Sequence, residues 1–160
     1  MTQVFIGIGS NINPLKNINL ALNELTQKFS ELIQSPIYQS QAVGFDGDDF
    51  YNLVVSFHYP DSLANLLEYL EQLETKIQGQ IASALKYRSR RIDLDLLLFG
   101  EQIEINEHYE IPRSDILKFA FVLKPLADIA PQLVHPTLQL PIQRIWQNSA
   151  LKNIPLIKID

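Results

Sequence analysis

From Val4 to Ile8 every large side chain is apolar and only Gly7 intervenes, the pattern of a buried strand, which runs into a turn at Gly9-Ser10-Asn11. Pro14 suits the first position of a helix. Leu15, Ile18, Leu22, Leu25 and Phe29 then recur at helical spacing and predict one apolar helix face. Leu32, Ile33, Ile37 and Tyr38 predict a second strand between Glu31 and Ser40, with Pro36 at an edge or bulge. Gln41 to Asp49 has turn composition without a period and reads as a loop. Phe50-Tyr51-Asn52 leads from it into a third strand, Leu53 to Tyr59. Pro60 and Asp61 end that strand and cap a helix from about Ser62 to Gln78, whose Leu63, Leu66, Leu67, Leu70, Leu73 and Ile77 share a face. Gly79 stops the helix, a basic linker follows, and a fourth strand begins at Asp93.

The order β-α-β-β-α-β predicts an α+β fold of the ferredoxin-like kind, an antiparallel sheet with helices on one face. Beyond it the pattern weakens into a C-terminal extension. Ile103 to Ile105 suggests a short strand, Glu110-Ile111-Pro112 a turn, and Phe119 to Ala127 a helix interrupted by Pro125. Pro131, Pro136 and Pro141 punctuate an irregular stretch before a small helix at Ile142 to Asn148, and Leu156 to Ile159 reads as an edge strand. No repeat or low-complexity tract divides the chain, so residues 1–160 are expected to form one domain.

Composition narrows the function classes. A hydrophobic share of 46 % with 19 % charged residues is globular, and no apolar run approaches a membrane span of about 20 residues. With no basic apolar leader after Met1, the expectation is a cytoplasmic protein, acting as a monomer. The absence of cysteine removes disulfides, thiolate metal sites and a thiol nucleophile, and His58, His108 and His135 lack zinc spacing. A net charge of −5 argues against nucleic-acid binding.

The chemistry concentrates between Lys86 and Gly100. Lys86, Arg88, Arg90 and Arg91 precede a run in which Asp93 and Asp95 alternate with Ile92, Leu94 and Leu96. On a strand the two carboxylates share a face, roughly 7 Å apart. Paired hard oxygen ligands suit Mg²⁺, which commonly completes its shell with substrate phosphate, and guanidinium forks suit the same phosphates. An isolated Asp-x-Asp is more often a solvated strand face, and four basic residues more often a solvated loop. Their adjacency, on a rigid apolar strand, is what points to polyphosphate chemistry.

Four stretches in order are similar to a known family: Gly9-Ser10-Asn11 after the first strand, Phe50-x-Asn52 before the third, Arg90-x-Ile92-Asp93-Leu94-Asp95, and Phe121-Val122-Leu123-x-Pro125-Leu126-x-x-Ile129-Ala130-Pro131. Together they resemble 6-hydroxymethyl-7,8-dihydropterin pyrophosphokinase (2-amino-4-hydroxy-6-hydroxymethyldihydropteridine diphosphokinase). The resemblance implies transfer of pyrophosphate from ATP to the pterin hydroxymethyl group, giving AMP and the pterin diphosphate used in folate biosynthesis. It implies that Asp93 and Asp95 hold two Mg²⁺ ions, that Arg90 contacts phosphate, and that Phe50 and Phe121 sandwich the pterin. Asn52 would bond the ring's polar edge, helped by backbone groups of the Ser40 to Val43 loop. The general base would be water or Asp95.

The departures from the family pattern fall on the nucleotide side. Where the family has Gly-Arg-x-Arg this chain has Gly79-Gln80-Ile81-Ala82, and Gly-Pro-Arg is replaced by Arg88-Ser89-Arg90. Pro-His is replaced by Pro112-Arg113, an arginine two residues before Phe121 is replaced by Phe119, and Glu74 stands one residue further from Gly79 than the family glutamate. Two readings follow. In the preferred one Glu74, Lys86, Arg88, Arg90, Arg91 and Arg113 make the nucleotide site, with Lys86, Arg88, Arg91 and Arg113 compensating for the missing arginines. In the other the chain is a diverged paralogue that binds a pterin-like ligand with weak or no transfer. An unrelated Asp-x-Asp glycosyl or nucleotidyl transferase is a third class, which would need no Phe50.

Overall fold

The computed structural model describes residues 1–41, 47–79 and 92–159. Its main sheet is built from β1 (Thr2–Ser10), β2 (Ile33–Gln34), β3 (Ile37–Ser40), β4 (Phe50–Tyr59), β5 (Asp93–Phe99) and β8 (Ile157–Ile159). The order across it is β5-β1-β4-β3-β8, with β2 also on β4, and every pairing is antiparallel. The expected α+β, ferredoxin-like core is therefore present, and the tail strand forms an edge as expected.

Alternation sorts the sheet residues to two faces. Val4, Ile6, Ile8, Leu53, Val55, Phe57, Leu94 and Leu96 face α1 (Pro14–Lys28) and α2 (Leu63–Gln78), whose Ile18, Leu25, Leu66, Leu70 and Leu73 complete the first core. Phe29 closes it, stacked on Phe57 with ring centroids 4.1 Å apart. Leu15, expected on the apolar face of α1, is instead exposed. The α2 boundaries follow local chemistry. The Ser62 hydroxyl accepts the Asn65 N–H, and Gly79 takes a positive φ of 68° at the C-terminus.

The opposite face is covered in part by the C-terminal extension, through α3 (Asp115–Lys118), α4 (Ala120–Ile129) and α5 (Ile142–Asn148). A bulge helps this second core. Ile6 pairs with Leu96 but Phe5 with Leu98, so Leu97 is extra and both Leu97 and Leu98 join Phe5 and Val54 against Leu123, Leu126 and Ile142.

Several local expectations are corrected. β1 continues through Ser10, so Gly9 and Ser10 belong to the strand and not to a turn. The single strand expected from Glu31 to Ser40 is split by Ser35-Pro36. There the Ser35 hydroxyl accepts the Val54 N–H at 2.9 Å, a side chain serving the ladder where the backbone departs from it. Glu110-Ile111 is no turn but β7, paired with β6 (Glu104–Ile105) in a small hairpin. α4 runs through Pro125 without a break. Loss of one backbone bond there is offset by burial of Pro125 with Val122, Leu123 and Leu126. Phe119, expected inside this helix, is an extended residue between α3 and α4.

Candidate active site

Directly opposed residues in an antiparallel ladder project to the same face, and the register fixes which side chains meet. Gly9 of β1 lies opposite Asn52 on one side and Asp93 on the other, and Gly7 lies opposite Val54 and Asp95. Ser40 lies opposite Phe50. Two carboxylates, an amide, a hydroxyl and an aromatic ring thus border a floor made of two glycines. This is the face away from α1 and α2.

The floor belongs to a cavity of about 250 Å³ lined, among others, by Gly7, Gly9, Asp93, Asp95, Asn52 and Phe50. Its walls come from Ser40 on β3, Phe121 and Val122 on α4, and the segment carrying Arg113 and Asp115. That segment is tied to the sheet by the Arg113 N–H, which donates to the Leu97 carbonyl at 2.9 Å. Of the residues singled out from the sequence, the cavity brings together Ser40, Phe50, Asn52, Asp93, Asp95, Arg113 and Phe121. Val43, Lys86, Arg88, Arg90 and Arg91 lie outside the described residues.

Gly9 is required by its neighbour. A methyl group there would sit 2.5 Å from Oδ1 of Asn52, so the amide lies directly on the glycine. Asn52 Nδ2 and Ser40 Oγ are buried and lack a hydrogen-bond partner among the described residues. Stranded polar atoms of this kind cost roughly 1–3 kcal/mol each. Their position in a cavity suits a ligand with a polar rim that supplies the missing partners.

The charged end is organised differently. Arg113 Nε donates to Asp115 Oδ2 at 2.9 Å, and its Nη2 lies 3.8 Å from Asp95 Oδ1. Burial works against the guanidinium charge, but Asp95, Asp115 and Glu110 outweigh it and hold Arg113 above its ordinary pKa. It is a permanent cation beside the carboxylates. Behind them, Glu74 reaches from α2 to accept the Leu94 N–H at 2.7 Å, next to Asp93 and Asp95 on the outer strand. Among the described residues no group of three or more acidic or histidine side chains clusters as a metal site. The Asp93 and Asp95 pair nevertheless fits Mg²⁺, which typically takes one or two carboxylates and fills its shell with water and phosphate.

Comparison with known proteins decides the family. Residues 5–131 match the family model of 7,8-dihydro-6-hydroxymethylpterin-pyrophosphokinase (HPPK). The chain belongs to this family. It is 32 % identical over 160 residues to 2-amino-4-hydroxy-6-hydroxymethyldihydropteridine pyrophosphokinase of Haemophilus influenzae, covering 98 % of this chain and 99 % of that one. The Pseudomonas aeruginosa protein of the same name is 35 % identical over 138 residues, covering 84 % of each. A crystal structure of Plasmodium falciparum HPPK-DHPS superposes with a TM-score of 0.70 at 13 % identity, over 92 % of this chain and 43 % of that one, and shares the fold. As a family member the chain is a pyrophosphokinase that transfers pyrophosphate from ATP to hydroxymethyldihydropterin in folate synthesis, a Mg-dependent reaction across the family.

Sequence reasoning missed several contributors. Gly9 was masked by turn-like neighbours, although a glycine inside an otherwise apolar strand is itself a signal of close approach. Asp115, partner of Arg113, carried no motif. Tyr38 lies opposite Asn52, and its hydroxyl donates to Asp128 of α4, fastening the helix that carries Phe121 to the sheet. Burial and that carboxylate push the Tyr38 phenol far above its usual range. Among the described residues no helix is long and apolar enough to cross a membrane.

Proposed function

We propose that the cavity between Phe50, Asn52 and Phe121 holds the pterin, and that the Asp93, Asp95 and Arg113 end receives the triphosphate of ATP. The observation that carries this is the meeting of stranded amide and hydroxyl groups with a carboxylate pair in one cavity. A flat heteroaromatic ring needs π-faces above and below and polar partners at its edge. Phe50 and Phe121 supply the faces, Asn52 Nδ2 donates to a ring acceptor, and Ser40 Oγ bonds a second rim group.

Asp93 and Asp95 hold two Mg²⁺ ions, which when bound neutralise phosphate charge and orient the chain of phosphates. Arg113 turns its free donors toward the same phosphates, and Glu74, fixed to the outer strand, borders the nucleotide. Lys86, Arg88, Arg90 and Arg91 add positive charge from the preceding segment, and Val43 adds backbone groups to the pterin rim. The pterin hydroxyl attacks the β-phosphorus in line and AMP leaves, a reaction carried by positioning and charge neutralisation without a protein nucleophile. The reading takes the chain as a cytoplasmic monomer, with residues 1–160 as one functional unit.

Asp93→Asn and Asp95→Asn test the reading. Each is expected to lower pterin-dependent AMP formation by about 10²-fold or more, the scale of losing one charge-stabilising group, while pterin affinity stays within about twofold. Turnover that survives both substitutions at unchanged Mg²⁺ would show that the carboxylates do not hold the metal.

A further inference from the structure

Phe119 is the single extended residue between α3 and α4, with φ −126° and ψ 126°. This break brings its ring against that of Phe121, with centroids 4.9 Å apart and planes inclined by 15°. Phe121 borders the cavity described above and also a second one of about 520 Å³, whose walls include Leu151, Ile154 and Leu156. Phe119 borders only the second. The two parallel rings therefore form a partition, with Phe119 behind Phe121 on the side away from Asn52 and the carboxylates.

A lone aromatic ring at the start of a helix, open to cavities on both sides, has room to turn about its side-chain torsions. A second ring stacked on its back removes that freedom. We propose that Phe119 is a positioning residue for the transfer reaction, fixing the plane in which Phe121 meets the pterin. The inference rests on the reading that the first cavity takes the pterin. Offset-parallel aromatic pairs are worth roughly a two- to tenfold change in an equilibrium beyond their buried area, which sets the size of the effect.

The test compares Phe119→Ala, Phe119→Leu and Phe119→Tyr. Pterin binding is measured by calorimetry with Mg²⁺ and a non-hydrolysable ATP analogue present, and KM is measured for each substrate. Phe119 is only half-buried, so the variants are expected to fold, with melting as the control. Phe119→Ala and Phe119→Leu are expected to weaken pterin binding three- to tenfold and raise the pterin KM, with the ATP KM and saturating kcat within twofold. Phe119→Tyr keeps the ring and is expected to restore wild-type values. Leucine retains apolar bulk without a π-face, so wild-type pterin binding by Phe119→Leu would reduce Phe119 to packing and overturn the proposal. Unchanged affinity in Phe119→Ala, or equal losses for ATP and pterin, would overturn it too. Those outcomes leave the pterin site standing, whereas a wild-type protein that binds no pterin removes both.

Discussion

A methyl group on Gly9 would stand 2.5 Å from the Asn52 carbonyl oxygen, far inside contact distance. The strand backbone at Gly9 tolerates any residue, so the constraint comes from the neighbour and not from conformation. Gly9→Ala is therefore expected to push the Asn52 amide off its seat and raise the pterin KM roughly tenfold, with the fold intact. Steady-state kinetics beside a far-ultraviolet spectrum checks this. An unchanged pterin KM would mean that Asn52 works from another position or not at all. Asn52, Asp93 and Asp95 were legible from the sequence because motif order and strand alternation place them. Gly9 was not, since its role is a cross-strand contact and its sequence neighbours Ser10 and Asn11 have turn chemistry. Arg113 was legible only as a substituted cation. The carboxylate that orients it, Asp115, stands two residues on at the start of α3 and belongs to no motif.

At the level of elements, long periodic segments were legible, as were the short strand within Ile103 to Ile105, the small helix α5 and the tail strand, whereas β7 was not. α1, α2 and β4 each bury enough regularly spaced side chains to fix their type. β6 and β7 have two residues apiece and no period, and they exist because they pair with one another. Pro125 misled for a related reason: burial in the second core outweighs a local penalty of about 3 kcal/mol.

The loop before α5 closes on an imidazole. His135 Nδ1 accepts the N–H groups of Thr137 and Leu138, both at 3.2 Å, while its own backbone N–H donates to Leu140 O. A proton on Nδ1 would face two donors, and burial also pushes the pKa of His135 below 6.5. The unfolded chain binds that proton more readily than the folded one. The His135 contribution to stability is thus complete above about pH 6.5 and is lost as pH falls through the lower, folded-state pKa. Melting temperatures between pH 7.5 and pH 5 should fall on acidification, and less steeply in His135→Asn, whose Oδ1 can still accept. Equal slopes in both proteins would place the acid sensitivity elsewhere.

For the whole molecule, the sheet is a divider. One face is sealed by α1 and α2, and the other is covered by α4 and α5 over Phe5, Val54, Leu97 and Leu98. The uncovered remainder, where β1 turns to glycine, is the cavity. The ferredoxin-like core was legible from element order alone, but the use of the second face was not, because the proline-punctuated extension has no period. A chain of net charge −5 that handles a triphosphate must gather its positive charge locally. Arg113, held ionised among Asp95, Asp115 and Glu110, is the cation we propose for that role among the described residues.

Pterin-dependent formation of AMP from ATP and Mg²⁺ is the most direct measurement of the central claim. The account requires AMP to appear at a rate that depends on 6-hydroxymethyl-7,8-dihydropterin, and equimolar pterin diphosphate to appear with it. Pterin binding at high ATP with no AMP would contradict it, leaving a chain that has kept the pocket and lost the transfer.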